Sequence, residues 1–368
     1  MNPGIKELKV KLGKRSYPIY IGEGLLSGTG AYLERHEVPK RSPVLVVTDE
    51  HVAALHLGIV MQDLEMKGYK AFSHVVPAGE SSKSLAMLEK VITAALEAGL
   101  DRASTVLALG GGVVGDLAGF AAASFMRGIR FVQLPTTVLA HDSSVGGKVA
   151  VNHPLAKNMI GAFYQPEFVL YDVSALKTLP IREIRAGYAE LVKEGLIWDH
   201  NFALWCGDHA DDLLSLNQEA LIYGLYQGCR IKSLVVSQDE TELGLRAILN
   251  LGHTIGHAIE AVSGYHEFLH GEAISIGMIG SAKLARYFDY QENIYTETKR
   301  LLKAFGLPVR LPEHYGTEAI LKALMHDKKF TEGTMTFIIP KNLGEVEIRR
   351  DVQSAWVREV IEELKKEE

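Results

Sequence analysis

The first half of the chain alternates short β-rich runs with helical stretches. The β-rich runs are "PVLVVTDE" (43–50), "AFSHVVPAGE" (71–80), "STVLALGGG" (104–112) and "IRFVQLP" (129–135). This alternation is typical of βαβ units, in which helices cover a mostly parallel sheet. The pattern therefore predicts an α/β fold with a Rossmann-like N-terminal domain.

After about residue 180, long amphipathic stretches dominate. They lie at 181–198, 217–238, 252–262, 270–288 and 292–305, and one strand-like run follows, "GTMTFIIP" (333–340). The charged end, "REVIEELKKEE", is interpreted as a solvated terminal helix. We predict an α/β domain at 1–178 and a mainly helical domain at 179–368, with the active site in the cleft between them.

Composition and charge exclude several classes of protein. The net charge of -6 argues against non-specific nucleic-acid binding, which requires a positive surface. Cys206 and Cys229 have no CxxC spacing, so neither a disulfide framework nor a thiolate metal site is expected. The N-terminus lacks an apolar signal core and no run approaches a membrane span. We expect a cytoplasmic protein without nucleic-acid or membrane partners.

Glycines follow a strand and precede a helix in "LALGGGVVGDLAGFAAA". Gly110, Gly112 and Gly115 satisfy G-x-G-x-x-G, whose backbone amides can bind a pyrophosphate. No acidic residue lies about 20 positions further on, so a tight strand-to-helix turn is an equally good interpretation.

Two other predicted strand ends carry polar residues. Asp49 ends "VVTDE", and Glu80 and Lys83 lie in "PAGESSKS". Carboxylates at strand ends can bind ribose hydroxyls, and a lysine there can bind phosphate. Three such ends on one parallel sheet favour a nucleotide.

The segment 134–166 is a long, polar, glycine-rich loop in this interpretation. Loops of this length in compact domains are commonly functional. It contains Asp142, Lys148, Lys157 and Asn158, and Arg127 lies shortly before it. Each could be a solvated loop residue, but together they predict a site for a phosphate or carboxylate.

Four histidines lie in "LNLGHTIGHAIEAVSGYHEFLHGEA". His253 and His257 would share a helical face, about 5–6 Å apart at Cβ. Gly252 and Gly256 precede them, and a mid-helix glycine costs roughly 1 kcal/mol, which predicts that another element approaches closely. "HTIGH" lacks the central glutamate of a zincin, which excludes a metalloprotease of that type.

The second pair of histidines is predicted to lie outside this helix. A break near Gly264 would leave His266 in the break and His270 at the start of the next helix. A helix N-terminus disfavours imidazolium, so His270 is expected to be neutral and able to bind a metal. The residues nominate His253, His257 and His270 without deciding which of them bind.

A catalytic metal commonly takes three protein ligands, and a carboxylate is the natural third beside two histidines. "GYAELVKEG" (187–195) places Glu190 and Lys193 on one helical face, opposite an apolar stripe. The alternative is a solvent-facing ion pair.

These motifs together, from "GGGVVGD" through "AELVKEG" and "LNLGHTIGHAIE" to "HGEAISIGM", resemble 3-dehydroquinate synthase over about residues 43–340. The resemblance implies a homodimeric phosphorus–oxygen lyase of the shikimate pathway, which leads to aromatic amino acids. It implies NAD and Zn²⁺ or Co²⁺ as cofactors, and a sugar-acid phosphate, 3-deoxy-D-arabino-heptulosonate 7-phosphate, as substrate.

The resemblance also implies roles for individual residues. Glu190, His253 and His270 would bind the metal, and His257 would donate a hydrogen bond or relay a proton. The substrate pocket would contain Arg127, Asp142, Lys148, Asn158, Lys193, Lys232, Arg246, Asn250 and Lys329, with Lys328 as the alternative to Lys329. NAD would contact Asp49, Glu80, Lys83, Gly110, Gly111, Gly112, Val113, Val114, Gly115, Asp116, Thr136, Thr137, Lys148, Lys157 and Thr178. Arg246, Asn250, His253 and His257 are expected on one side of a helical segment.

The implied reaction oxidises a substrate hydroxyl with NAD, eliminates phosphate, returns the hydride and closes a carbocycle by an intramolecular aldol step. Three alternatives remain: a metal-dependent polyol dehydrogenase, which would release NADH, another sugar phosphate cyclase, and a catalytically silent NAD- or metal-binding regulator. The anion-binding residues from Arg127 to Asn158 favour the synthase.

Overall fold

The computed structural model describes residues 4–264, 267–290, 293–326, 330–331 and 334–368. His266, Lys328 and Lys329, named above, lie outside the described residues. The strands are β1 (Lys6–Val10), β2 (Tyr17–Gly22), β3 (Val44–Asp49), β4 (Ala71–Val76), β5 (Thr105–Gly110), β6 (Arg130–Pro135), β7 (Lys148–His153), β8 (Ala156–Phe163), β9 (Phe168–Asp172), β10 (Phe330–Thr331), β11 (Thr334–Asn342) and β12 (Glu345–Gln353).

The helices alternate with the first strands and dominate after residue 180. They are α1 (Thr29–Arg35), α2 (Glu50–Val52), α3 (Gly58–Met66), α4 (Leu85–Glu97), α5 (Gly112–Ser124), α6 (Ala140–Ser143), α7 (Ile181–Trp198), α8 (His200–Asp208), α9 (Ala210–Leu214), α10 (Gln218–Gln238), α11 (His253–Val262), α12 (His270–Leu284), α13 (Ile294–Ala304), α14 (Thr317–His326) and α15 (Ser354–Leu364). No helix in these described ranges is long and apolar enough to cross a membrane.

The chain divides into two compact units. One comprises Met1–Leu179 and Leu221–Glu240, and the other Pro180–Ala220 and Thr241–Glu368. The first boundary follows the change of pattern near residue 180. Residues 221–240, which the sequence analysis placed in the helical domain, cluster with the first unit.

The first unit is built on a seven-stranded sheet in the order β1-β2-β9-β6-β5-β3-β4. Every neighbouring pair is parallel except β1 with β2. The four predicted strands are confirmed as β3, β4, β5 and β6. Their residues alternate between two buried clusters on the two faces, which gives the continuous apolar runs seen in the sequence.

The predicted long loop at 134–166 is wrong in part, because it contains a β-hairpin. β7 and β8 pair antiparallel, with His153 opposite Ala156 across a two-residue turn. The "KVAV" run at the start of β7 is the strand signal that the glycines around it obscured. The hairpin carries Lys148, Lys157 and Asn158, whereas Asp142 lies in α6.

In the second unit, the predicted helices at 181–198, 252–262, 270–288 and 292–305 are confirmed as α7, α11, α12 and α13, although the last turn of the third is a 3-10 helix. The terminal segment is not a solvated helix. Val357, Val360, Ile361 and Leu364 of α15 are fully buried. Its charged residues form the outer face of an amphipathic helix.

Helices α11 and α12 approach closely, as the glycines predicted. A Cβ on Gly256 would lie 2.7 Å from Ile274 Cδ1, and one on Gly277 would lie 2.0 Å from the Gly252 carbonyl oxygen. Gly252 is not mid-helix, however. It precedes α11 with φ of 79°, a left-handed conformation that favours glycine.

Candidate functional site

Helix α7 places Glu190 inside the second unit. The helix is buried around its whole circumference from Gly187 to Ile197, and Glu190 and Lys193 are each only 1% exposed. Their side chains form an ion pair, and Lys193 Nζ also lies 3.6 Å from Glu194 Oε1. A solvent-facing pair is therefore excluded. Buried carboxylates of this kind require cationic partners.

His253 is the first residue of α11, where Gly252 turns the chain into the helix. Its Nδ1 lies 3.1 Å from the Leu251 carbonyl oxygen, and its Nε2 lies 3.4 Å from Glu190 Oε1. An imidazole whose Nδ1–H donates to a carbonyl presents an unprotonated Nε2 to a metal. This orientation would leave Nε2 of His253 available to a metal.

The expectation that Arg246, Asn250, His253 and His257 share one helical side is wrong. Residues Leu245–Asn250 form a 3-10 helix that ends before α11 begins, because Leu251 and Gly252 interrupt it. Arg246 is buried, and Asn250 Nδ2 donates to Glu242 Oε1 at 2.7 Å.

His270 is the first residue of α12, as predicted from the break after α11. Its Nε2 lies 3.2 Å from Glu190 Oε1, and its Nδ1 lies 3.3 Å from Glu260 Oε2. One ligand atom each from Glu190, His253 and His270 lie within 4.8 Å of one another. Two imidazoles thus face the same carboxylate oxygen.

His257 lies beside this group but contacts it differently. Its ring centroid is 5.2 Å from that of His253 and 5.9 Å from that of His270. His257, Glu260 and His270 form a second set with ligand atoms within 4.8 Å, so both sets share His270. His257 is exposed, which suits a group that exchanges protons rather than a buried ligand.

Two histidine pKa values are shifted in opposite directions. Burial lowers the pKa of His253 well below its ordinary value, although Glu190 opposes this shift. Burial alone would also lower the pKa of His270, but hydrogen bonds to Glu190 and Glu260 outweigh burial and raise the pKa to about 10. In the absence of a metal, the two carboxylates therefore favour the protonated form of His270, whereas the helix N-terminus favours the neutral form expected from the sequence. A cation bound by these residues would compete with that proton.

In the first unit, the carboxyl ends of β4, β3, β5 and β6 meet at one edge of the sheet, as predicted. Asp49 ends β3 and accepts hydrogen bonds from the amides of His51 and Val52. Lys83, buried after β4, donates to Asp116 Oδ2 and to Asn158 Oδ1, each at 2.5 Å. Burial raises the pKa of Asp116 above its ordinary value, although Lys83 opposes this shift.

The glycine turn lies at the same edge. Gly110 ends β5 and Gly112 begins α5. A Cβ on Gly111 would lie 2.9 Å from Thr137 Cγ2, and the Thr136 amide donates to the Gly110 carbonyl at 3.1 Å. The predicted cofactor residues after β5 and β6 are therefore in contact. The arrangement suits backbone binding of a pyrophosphate at the N-terminus of α5.

Other predicted residues fall at varied positions in the first unit. Lys232 of α10 contacts Asp142 Oδ2 at 2.7 Å. Lys148 begins β7 and Lys157 lies in β8. Arg127 is exposed, with φ of 68°. The Thr178 hydroxyl donates to the Ala175 carbonyl at 2.8 Å and lies 3.1 Å from His56 Nε2.

Sequence reasoning missed two residues whose contacts matter. Glu260 lies behind His270, and its spacing of seven from His253 and three from His257 could have placed it on their face of α11. Asn152 links Glu80 to Asn158, a connection that no helical or strand spacing indicates.

The chain matches two family models. Residues 73–186 match the 3-dehydroquinate synthase N-terminal model, and residues 187–330 match the 3-dehydroquinate synthase C-terminal model. A 3-dehydroquinate synthase from Desulforamulus reducens is 49% identical over 360 residues, covering 96% of this chain and 99% of that protein.

Two solved structures of other synthases share the fold. A 2-deoxy-scyllo-inosose synthase in complex with carbaglucose-6-phosphate, NAD+ and Co²⁺ has a TM-score of 0.90 at 28% identity, covering 97% of this chain and 100% of that chain. A 2-epi-5-epi-valiolone synthase from Streptomyces hygroscopicus with NAD+ and Zn²⁺ bound has a TM-score of 0.86 at 26% identity, covering 97% and 98%.

Proposed function

The chain belongs to the 3-dehydroquinate synthase family, and we propose that it converts 3-deoxy-D-arabino-heptulosonate 7-phosphate to 3-dehydroquinate and phosphate. This activity would make it a phosphorus–oxygen lyase. The observation that carries the proposal is the convergence of Glu190, His253 and His270 in a chain of this family.

The donor set fits a catalytic divalent metal. One carboxylate and two imidazoles are ligands that zinc and cobalt accept, and three protein ligands leave a position for substrate. Glu190 would supply an oxygen, and His253 and His270 would supply Nε2. The resemblance assigns the same three residues.

The turn after β5 fits NAD. Gly111 precedes a thirteen-residue helix, whose first backbone amides are available to a pyrophosphate. Asp49, Glu80 and Lys83 lie at or after the ends of the neighbouring strands. When bound, NAD would accept and return a hydride and the metal would act as a Lewis acid.

The protein's own side chains would bind and orient the substrate. The residues that would neutralise or donate to its carboxylate, phosphate and hydroxyl oxygens are Arg127, Lys148, Asn158, Lys193, Lys232, Arg246 and Asn250. Asp142 would keep Lys232 in place, since the two are already paired at 2.7 Å. Exposed His257 would move a proton at a ring nitrogen.

A phosphate-release assay with parallel detection of NADH tests this proposal. We expect phosphate release with catalytic amounts of NAD, far exceeding any NADH formed, because the hydride returns within each turnover. Stoichiometric NADH would move the assignment to a polyol dehydrogenase. Phosphate release from glucose 6-phosphate but not from the heptulosonate phosphate would move it to another cyclase.

We also propose a homodimer and a cytoplasmic location. The homodimer rests on the family resemblance, and sedimentation showing an active species of about the chain's own 40.4 kDa would refute it. The location is supported by Cys206 and Cys229, which are buried free thiols.

A further inference from the structure

Asn152, in β7, makes three hydrogen bonds to two other segments. Its backbone amide donates to the Lys83 carbonyl at 2.8 Å, and its Nδ2 donates to Glu80 Oε1 at 2.7 Å. Its Oδ1 accepts from the Asn158 amide at 2.8 Å. A backbone amide only donates and a carboxylate only accepts, so these partners fix which amide atom faces which segment.

The bond to Asn158 holds an unusual backbone conformation. Asn158 has φ of 57°, in the left-handed region that asparagine adopts more readily than most residues other than glycine. Its amide is held by Asn152, and its Oδ1 accepts from Lys83 Nζ at 2.5 Å. Both the backbone and the side chain of Asn158 are therefore anchored to the region around Asn152.

The hydrogen bond to Glu80 connects Asn152 to the carboxyl ends of the parallel strands, where the proposed NAD-binding residues lie. Glu80 Oε1 also lies 3.9 Å from Lys83 Nζ, and Lys83 in turn donates to Asp116. Lys83 is 5% exposed, so its ammonium group lies away from bulk water, where a hydrogen bond to a charged group is stronger, whereas the Glu80 side chain is 35% exposed. A continuous set of hydrogen bonds joins Glu80 to Asn158 through Asn152.

We infer that Asn152 is a positioning residue that couples the cofactor site to the substrate site. Its Nδ2 orients Glu80, which the proposed function assigns to NAD, and its Oδ1 fixes Asn158, which that function assigns to substrate. The inference rests on the proposed function. Because the two halves of one amide face the two sites, a single change can separate their effects.

The variant Asn152→Asp separates the contact with Glu80 from the contact with Asn158. The carboxylate still accepts from the Asn158 amide, but it replaces the donor to Glu80 with a second negative charge. We expect the NAD dissociation constant, measured by calorimetry, to rise about tenfold, while the substrate KM at saturating NAD changes by less than about twofold. Asn152→Ala loses both contacts, so both quantities should rise about tenfold.

His153→Ala is the matched control, because His153 adjoins Asn152 and its Nδ1 accepts from the Leu155 amide in the hairpin turn. It should leave the NAD dissociation constant and the substrate KM unchanged. Equal changes in both quantities for all three variants, following their loss of thermal stability, would show that Asn152 only supports the hairpin. If Asn152→Ala does not fold, the measurements on Asn152→Asp are sufficient. An NAD affinity of Asn152→Asp equal to that of the wild type would overturn the inference. Wild-type protein that binds no NAD would instead overturn the proposed function, and this inference with it.

Discussion

Nδ1 of His270 lies 3.3 Å from Oε2 of Glu260. Glu260 is 4% exposed and belongs to α11, whereas His270 begins α12, so the contact joins the two helices that carry the candidate ligands. A carboxylate behind a metal-binding imidazole fixes the orientation of the ring and raises its basicity. If Glu190, His253 and His270 bind the metal as proposed, Glu260 would support His270 without itself being a ligand.

The first prediction concerns this support. Glu260→Ala should raise the zinc dissociation constant by about 10–100-fold, measured by competition with a chelator. Glu260→Gln keeps an acceptor for Nδ1–H but loses the charge, so its effect should be intermediate. Glu297→Gln, which removes a carboxylate from α13 outside either ligand set, is the control and should bind zinc as the wild type does. Unchanged affinity in Glu260→Ala would refute the role.

The second prediction separates the neighbouring histidines. His253→Ala and His270→Ala should lose bound zinc on gel filtration, because each removes one of three ligands. His257→Ala should retain the zinc and lose about 10²–10⁴-fold in rate, since its role is hydrogen bonding or proton transfer. His266→Ala should have little effect. An empty site in His257→Ala together with a full one in His270→Ala would make His253 and His257 the true pair.

Much of the fold could be predicted because the hydrophobic pattern is strong where elements are buried. The apolar runs of β3 and β5 and the stretch that forms α7 match their predicted bounds closely. The hairpin of β7 and β8 was missed because β8 is mostly exposed and its pattern carries little information about burial. The terminal helix was misjudged because its four charged residues, and the charged run that follows them, obscure its four buried apolar positions.

Residue spacing alone narrowed the candidate metal ligands to a few histidines, but it could not decide which of them bind the metal. Spacing of four pairs His253 with His257, yet the fold pairs His253 with His270 through a glycine-mediated contact between α11 and α12. The contacts of His270 with Glu190 and Glu260, which raise its pKa, also come from other parts of the chain. Such contacts are tertiary, and no local pattern reports them.

The third prediction tests the close contact between those helices. Gly277→Ala would place a Cβ 2.0 Å from the Gly252 carbonyl oxygen, a backbone atom that cannot move aside as a side chain can. We expect a loss of stability of roughly 1–3 kcal/mol from overpacking, despite the roughly 1 kcal/mol that alanine adds to a helix. Zinc affinity should also fall, because the displaced α11 carries His253.

Gly58→Ala is the matched control for this change. Gly58 begins α3, and a Cβ there would meet nothing within 4 Å. Its unfolding midpoint in urea should be unchanged or slightly raised. If Gly277→Ala proved as stable as Gly58→Ala, with unaltered zinc affinity, the helices would not be held at the observed distance.

The last prediction concerns acid stability near the chain end. Glu367 accepts from Tyr295, from Lys299 Nζ at 2.6 Å, and pairs with Lys283 Nζ at 3.0 Å. Burial alone would raise the pKa of Glu367, but these hydrogen bonds lower it by more, so the pKa lies below the ordinary 4.5. A carboxyl whose pKa is lowered by folding stabilises the protein fully at pH values above its pKa in the unfolded chain. That stabilisation is lost as the pH falls through its pKa in the folded protein.

Glu367→Gln should therefore destabilise the protein at pH 7, by on the order of 1 kcal/mol since the cluster is partly solvated. The difference from wild type should shrink progressively as the pH falls below about 5, where the unfolded carboxyl begins to bind its proton. Glu313→Gln, which breaks the exposed pair with Arg310, should be near neutral at every pH because surface pairs contribute little. Urea unfolding of the three proteins between pH 7 and pH 4 measures this. A difference for Glu367→Gln that stayed constant or grew toward pH 4 would contradict it, because the carboxylate charge would then not be what stabilises the contact.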